Sequence, residues 1–191
     1  MLKELVLRNR TYRRFDQSAR IAPETLRELI DLARLTPSAR NAQPLKYLLV
    51  SSEGGCETVF PHLAWAGYLK DWPGPREGER PAAYIVMLGD TGLSSSFAMD
   101  AGIAAQTILL GAVEKGLGGC IIASVARKEL MPALEIPAQF EVLYVLALGK
   151  PVENVTIESM GKDGDIKYWR DTNQGHHVPK RSLDELILGE R

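Results

Sequence analysis

This chain has little cysteine, little histidine, no charge excess and no long apolar run. Two cysteines in 191 residues, Cys56 and Cys120, are too few for a disulfide framework, so each reads as a small buried hydrophobe. Three histidines leave little material for a metal site. His176 and His177 are adjacent, which turns them apart on regular structure, and His62 is distant in sequence. Lysine plus arginine total 23 against 24 aspartate plus glutamate, and a net charge of −1 argues against a nucleic-acid binder. The apolar stretches reach about half of the ~20 residues that a bilayer requires. The opening Met1-Leu2-Lys3-Glu4 does not lead into a signal-type apolar run, so a cytoplasmic location with no membrane partner is expected. Several motifs are absent too. There is no G-x-x-x-x-G-K followed by Ser or Thr, no G-x-G-x-x-G, no H-E-x-x-H and no paired C-x-x-C. Gly116, Gly118 and Gly119 have the wrong spacing for a dinucleotide turn and follow a helix rather than a strand. Asp163-Gly164-Asp165 lacks the remaining ligands of a calcium loop and reads as a polar turn.

What is present is the composition of a soluble globular protein, 45% apolar and 25% charged. The length suits one domain over residues 1–191, able to bury a core without staples. Leu2 to Asn9 reads as a short helix and Arg10 to Phe15 as an extended segment. Pro23 opens a helix whose apolar residues Leu26, Leu29, Ile30 and Ala33 recur at helical spacing, until Pro37 stops it. Strands are expected at 46–51, 82–89, 120–124 and 140–148. Helices are expected at 58–68, 97–116, 127–134 and 183–188. Gly54-Gly55 marks a turn, 70–80 a mobile loop or lid, and 150–166 a polar connector. Strands and helices alternate without a repeat or linker, which gives one α+β or α/β domain around a central sheet.

Three polar segments carry chemistry. The first holds Arg8, Arg10, Arg13 and Arg14 with Thr11 and Tyr12 between them. Guanidinium forks match phosphate oxygens, and an extended chain sends Thr11 and Arg13 to one face. A charge run is also what a solvated face looks like. The second, Pro37 to Pro44, sets Ser38, Asn41 and Gln43 between a helix and a strand. Stiffened by two prolines, it suits the hydrogen-bonding edge of a flat heterocycle, or a plain capped connection. The third, His177 to Leu183, adds Lys180 and Arg181.

Together these segments resemble the nitroreductase family. Arg10-Thr11-Tyr12-Arg13-Arg14-Phe15 is similar to its R-S-x-R-x-F start. Ser38 to Leu45 is similar to its S-x-x-N-x-Q-P-W loop, with Leu45 where tryptophan is common. Asp100 to Gly118 resembles its central helix, Leu146 to Pro151 its L-x-x-G-x-P strand end, and Lys180 to Glu185 its closing K-R-x-L-x-E. The five matches fall in the family's order over almost the whole chain.

The resemblance implies an α+β fold, an α/β sandwich around a central mixed, mainly antiparallel sheet. It also implies an intertwined homodimer with FMN at the subunit interface. Arg10, Thr11 and Arg13 would bind the FMN phosphate and ribityl chain, with Lys180 and Arg181 closing from the tail. Ser38, Asn41 and Gln43 would reach the flavin from the partner subunit. Ile122, Ala123 and Ser124 would run along the isoalloxazine. The family's first arginine falls on Asn9, so Arg10 and Arg14 would share its role. The implied activity is hydride transfer from NADH or NADPH through FMN to a nitroaromatic, quinone or related acceptor, ping-pong, with no catalytic side chain. Residues 62–80 would supply the substrate pocket. There Trp65, Tyr68, Trp72 and also Trp169 would either stack on a flat acceptor or pack a dimer interface. Rival readings are a flavin-fragmenting or dehalogenating relative, a flavin- or anion-binding sensor or interaction module without turnover, and a basic-patch nucleic-acid binder.

Overall fold

A computed structural model describes all 191 residues. The elements run α1 (Leu2–Arg8), β1 (Phe15–Asp16), α2 (Pro23–Arg34), β2 (Leu45–Val50), α3 (Glu53–Val59), β3 (Ala83–Asp90), α4 (Ala98–Glu114), β4 (Gly118–Ile122), α5 (Arg127–Ala133), β5 (Phe140–Pro151), β6 (Val155–Ser159), β7 (Trp169–Arg170), β8 (His176–Lys180) and α6 (Leu183–Leu186). Short 3-10 turns occupy Ala39–Asn41 and Phe60–His62.

The two most apolar runs of the sequence, β3 and β5, pair at the centre, because only a strand covered on both faces can be apolar throughout. β2 extends the sheet beyond β3. Along its other edge β5 takes β4 and then β1, with Cys120 opposite Ala147 and Phe15 opposite Pro151. This five-stranded sheet is antiparallel throughout. Parallel pairing appears between β6 and β8 in a separate three-stranded sheet, where β7 adds an antiparallel edge. Strand alternation divides the core in two. Ile85, Met87, Leu146 and Leu148 face α2 and α4, where Leu26, Leu29, Ile108 and Ala112 meet them. Tyr84, Val86, Val145 and Ala147 face the other side, against Val59, Leu63 and Leu130. The result is the expected α+β sandwich, with a mainly antiparallel sheet between helical layers.

Two glycines set close approaches. A Cβ on Gly111 of α4 would lie 2.5 Å from Leu32 Cδ1, so this glycine lets α2 and α4 meet. A Cβ on Gly118 would lie 2.5 Å from Tyr12 Cδ2. The N-terminal segment therefore passes tightly over β4, where the Tyr12 N–H donates to the Gly119 carbonyl at 3.0 Å.

Three local expectations are corrected. The helix read at 58–68 lies earlier, at Glu53–Val59. Ser52 caps it, accepting from the Gly55 N–H at 3.2 Å, so Gly54-Gly55 forms a first helical turn rather than a hairpin-like turn. Pro61 follows in a 3-10 turn, and the chain is extended by Leu63. The connector at 150–166 contains β6, whose partner β8 lies some twenty residues further on. The last helix is shorter, Leu183–Leu186, closed by a Ser182/Glu185 capping box.

Candidate functional site

A cavity of about 350 Å³ opens between the N-terminal segment, the β4 edge and the small sheet. Arg10, Thr11 and Arg13 enter it from the first, and Tyr168, His176 and Lys180 from the last. No carboxylate lines it. Three cations and a hydroxyl without a competing acid form a donor set suited to a phosphate.

Backbone alternation sorts the arginines. Thr11 and Arg13 face the cavity, as an extended chain requires. Arg14 points away, where its Nε donates to Glu79 Oε2 at 2.9 Å and its Nη2 to Oε1 at 2.6 Å. This bidentate bond raises the Arg14 pKa and lowers that of Glu79. Arg14 therefore does not share the first arginine's place. Arg8 donates to the Val113 carbonyl at 3.2 Å, and Arg10, though lining the cavity, donates through Nη2 to the Val6 carbonyl at 2.6 Å. Lys180 faces the cavity from β8. Arg181, the next residue, lies half-exposed with its Nη1 3.3 Å from Glu185 Oε1, outside the cavity.

A second cavity of about 170 Å³ adjoins the first through Arg13 and Ile121. Trp65, Ile122, Ala123 and Ser124 line it. The Ala64 N–H donates to the Ser124 carbonyl at 3.0 Å and ties the two walls together. Ile122 is 4% exposed and belongs to the core, whereas Ile121 is 40% exposed and faces both cavities. Of the aromatic residues expected to line a substrate pocket, Trp65 is the one that lines this cavity. Tyr68 packs on Tyr168 with centroids 4.9 Å apart, Trp72 lies under the Arg170 guanidinium at 4.1 Å, and Trp169 stacks on His177 at 4.2 Å.

Ser38 and Gln43 are elsewhere, in a separate cleft of about 280 Å³ beside Asp100 and Tyr47. Asp100 of α4 is buried and organises their loop. It accepts from the Ala39 N–H at 3.0 Å and from the Ser38 hydroxyl, and the Ser38 oxygen accepts from the Gln43 N–H at 2.9 Å. Arg40, Asn41 and Gln43 all hold positive φ, near 50°. Such a run of non-glycine residues is strained, and strain of this kind gathers at binding sites. The exposed Asn41 sits at its centre.

Four residues of this region were not visible beforehand: Ile121, Glu153, Tyr168 and His176. Glu153 is buried, and its Oε1 accepts from both the Arg13 and Arg14 peptide N–H groups. Arg170 Nη2 donates to its other oxygen at 3.1 Å. His176 Nε2 lies 3.3 Å from Arg13 Nη1. Burial and then the nearby Arg13 push its pKa down to about 4. His177 points the other way, between Asp171 and Glu158, which raise its pKa. The adjacency of the two histidines was the available signal: one strand sends them to opposite faces. Burial raises both thiols, that of Cys120 to about 11, so neither is poised as a nucleophile.

A family profile described as "Nitroreductase family" matches residues 6–150. No curated protein matches. Among solved structures, a nitroreductase family protein of Streptococcus pneumoniae is similar over 100% of both chains, at 20% identity and a TM-score of 0.71. A nitroreductase of Exiguobacterium sibiricum in complex with FMN is similar over 80% of this chain and 89% of its own, at 20% identity and a TM-score of 0.66. An NADH dehydrogenase/NAD(P)H nitroreductase of Parabacteroides distasonis is similar over 89% and 96%, at 23% identity and a TM-score of 0.65.

Proposed function

This chain belongs to the nitroreductase family, and on that premise we propose that it is an FMN-dependent oxidoreductase. It would pass a hydride from NADH or NADPH, by a ping-pong route, to a nitroaromatic, quinone or related small acceptor. The observation that carries the reading is the convergence of Arg10, Thr11, Arg13 and Lys180 on one carboxylate-free cavity, joined to a second cavity walled by Ile122, Ala123 and Ser124. The FMN bound by the Exiguobacterium protein and the NAD(P)H in the name of the Parabacteroides protein support the choice of cofactors.

When bound, the flavin supplies the redox chemistry. The chain's own work is binding and electrostatics. Arg13, Lys180 and Arg10 would hold the phosphate, and the Thr11 hydroxyl would join them. The backbone of Ile122 to Ser124 and the Trp65 side chain, which line the second cavity, would border the ring. Ser38 and Gln43 line another cleft and Asn41 is exposed between them on the same loop, so all three would serve the flavin of a second copy, in a homodimer with two shared sites. Arg181, released from Glu185, would join the phosphate. No helix is long and apolar enough to cross a membrane, and we place the protein in the cytoplasm.

The test is a visible absorption spectrum of the purified protein, before and after adding FMN and then NADH or NADPH. A flavin spectrum that bleaches with reductant is expected. A protein that takes up no flavin overturns the reading, and one whose flavin no nicotinamide reduces is a binding module rather than an enzyme.

A further inference from the structure

An arginine on an extended segment has many rotamers, and holding its guanidinium in one place costs entropy. Arg13 is held from several directions. Its Nη1 lies 3.3 Å from His176 Nε2 and 3.4 Å from the Thr11 carbonyl, and its guanidinium stands 4.8 Å from the centre of the Tyr168 ring. Its own peptide N–H donates to Glu153, as does that of Arg14. The Glu153 side chain is 1% exposed and lines neither cavity. A buried carboxylate is unfavourable unless its oxygens are filled, and here three donors fill them. The consequence is geometric. With both peptides pinned, alternation turns Arg13 into the cavity and Arg14 out to Glu79. His176 completes the arrangement. As a neutral imidazole it accepts from Arg13 without repelling it, which leaves the remaining guanidinium N–H groups free for a ligand.

We propose that Glu153 and His176 are positioning residues that aim Arg13 into the cationic cavity, so that the site selects a phosphorylated flavin over the same flavin without phosphate. This rests on reading the cavity as the phosphate end of the FMN site. Neither residue acts on the flavin ring, and both act through Arg13.

The experiment is a fluorescence titration of the full-length protein with FMN and with riboflavin, in wild type, Glu153→Gln, His176→Phe and each of these combined with Arg13→Ala. The preference for FMN is expected to fall about tenfold in each single variant, one charge-assisted hydrogen bond's worth. Riboflavin affinity should stay within about twofold. Neither variant should lower the preference further once Arg13 is gone, and His176→Gln, which restores an acceptor, should recover it. FMN and riboflavin affinities that fall together would show a merely structural role and overturn the proposal. So would an unchanged preference, or an equal loss in the Arg13→Ala background. Should the wild type bind neither flavin, the flavin reading fails on its own. Inorganic phosphate then takes its place: a phosphate-induced rise in melting temperature that vanishes in Arg13→Ala and Glu153→Gln supports the positioning role, and no rise in the wild type overturns it.

Discussion

The segment around Arg13 and the loop from Ser38 to Gln43 both carry polar groups proposed to meet the flavin, yet they are built in opposite ways. Arg13 is braced from within the chain. Glu153 takes its peptide, His176 its guanidinium and Tyr168 its face. The Ser38–Gln43 loop is tethered at its base by Asp100, while its middle is exposed and strained. The first arrangement is complete in one chain. The second directs strained polar residues outward and makes sense when a second copy receives them. The difference teaches how the proposed shared site would divide its labour: the anion would be met by groups whose orientation one subunit enforces, the ring edge by groups from a second copy.

Removing the brace should have the largest effect. Glu153→Ala leaves Arg170 unpaired and two peptide N–H groups without an acceptor, and should cost about 3–5 kcal/mol of stability in urea unfolding. A loss under about 1 kcal/mol would mean that water fills the site and that the contrast with the loop is weaker than drawn.

The next comparison is between the two arginines proposed for the phosphate. Arg13→Ala should cost about 1.5–3 kcal/mol of FMN affinity. Arg181→Ala should cost less than about 1 kcal/mol, because this side chain is half-exposed and already paired with Glu185. Isothermal titration with FMN decides the order, and a reversed order would move the anchor to the tail.

The two adjacent histidines sharpen the comparison through pH. Burial lowers the folded pKa of His176 to about 4, against 6.5 for a free histidine. The unfolded chain takes up this proton first, so stability from this site falls as pH drops from about 6.5 toward 4. His177 has the opposite sign. Asp171 and Glu158 raise its folded pKa, so its contribution is complete below 6.5 and disappears as pH rises through the raised value. Melting temperatures across pH should lose the acid limb in His176→Asn and the alkaline limb in His177→Asn. Identical profiles for the two variants would contradict the opposite facing of the side chains.

The smallest effect belongs to the loop. Arg40 holds φ near 54°, a conformation that glycine adopts freely. Arg40→Gly should stabilise the chain by up to about 1 kcal/mol, read from the same unfolding curves. Destabilisation would mean that the Arg40 side chain makes a contact that outweighs the strain.

Much of the fold could be read from local pattern. β3 and β5 announce themselves as apolar runs, and α2 by Pro23 and its leucine spacing, because burial on a face imposes the period of the element. The site was legible in part for the same reason: Thr11 and Arg13 share a face of an extended chain, and Lys180 lies near them through β8. The contacts of Tyr68 and Trp72 were not legible, because an aromatic suited to a ligand is equally suited to Tyr168 or Arg170, and nothing local distinguishes the two. α3 was displaced because the Ser52 cap outweighs the low helix propensity of Gly54-Gly55.

By itself the sequence determined a domain of alternating strands and helices around a central sheet, its buried central strands and the cationic character of the N-terminal segment, since these follow from side-chain period and charge. Tertiary structure alone decided which arginine is free and which is spent. Glu153 stands 140 residues from Arg13 and Glu79 stands 65 from Arg14. Both assignments depend on where the β5–β6 connection brings Glu153 and the loop before β3 brings Glu79, and a guanidinium's partner is set by distance in space rather than by position along the chain.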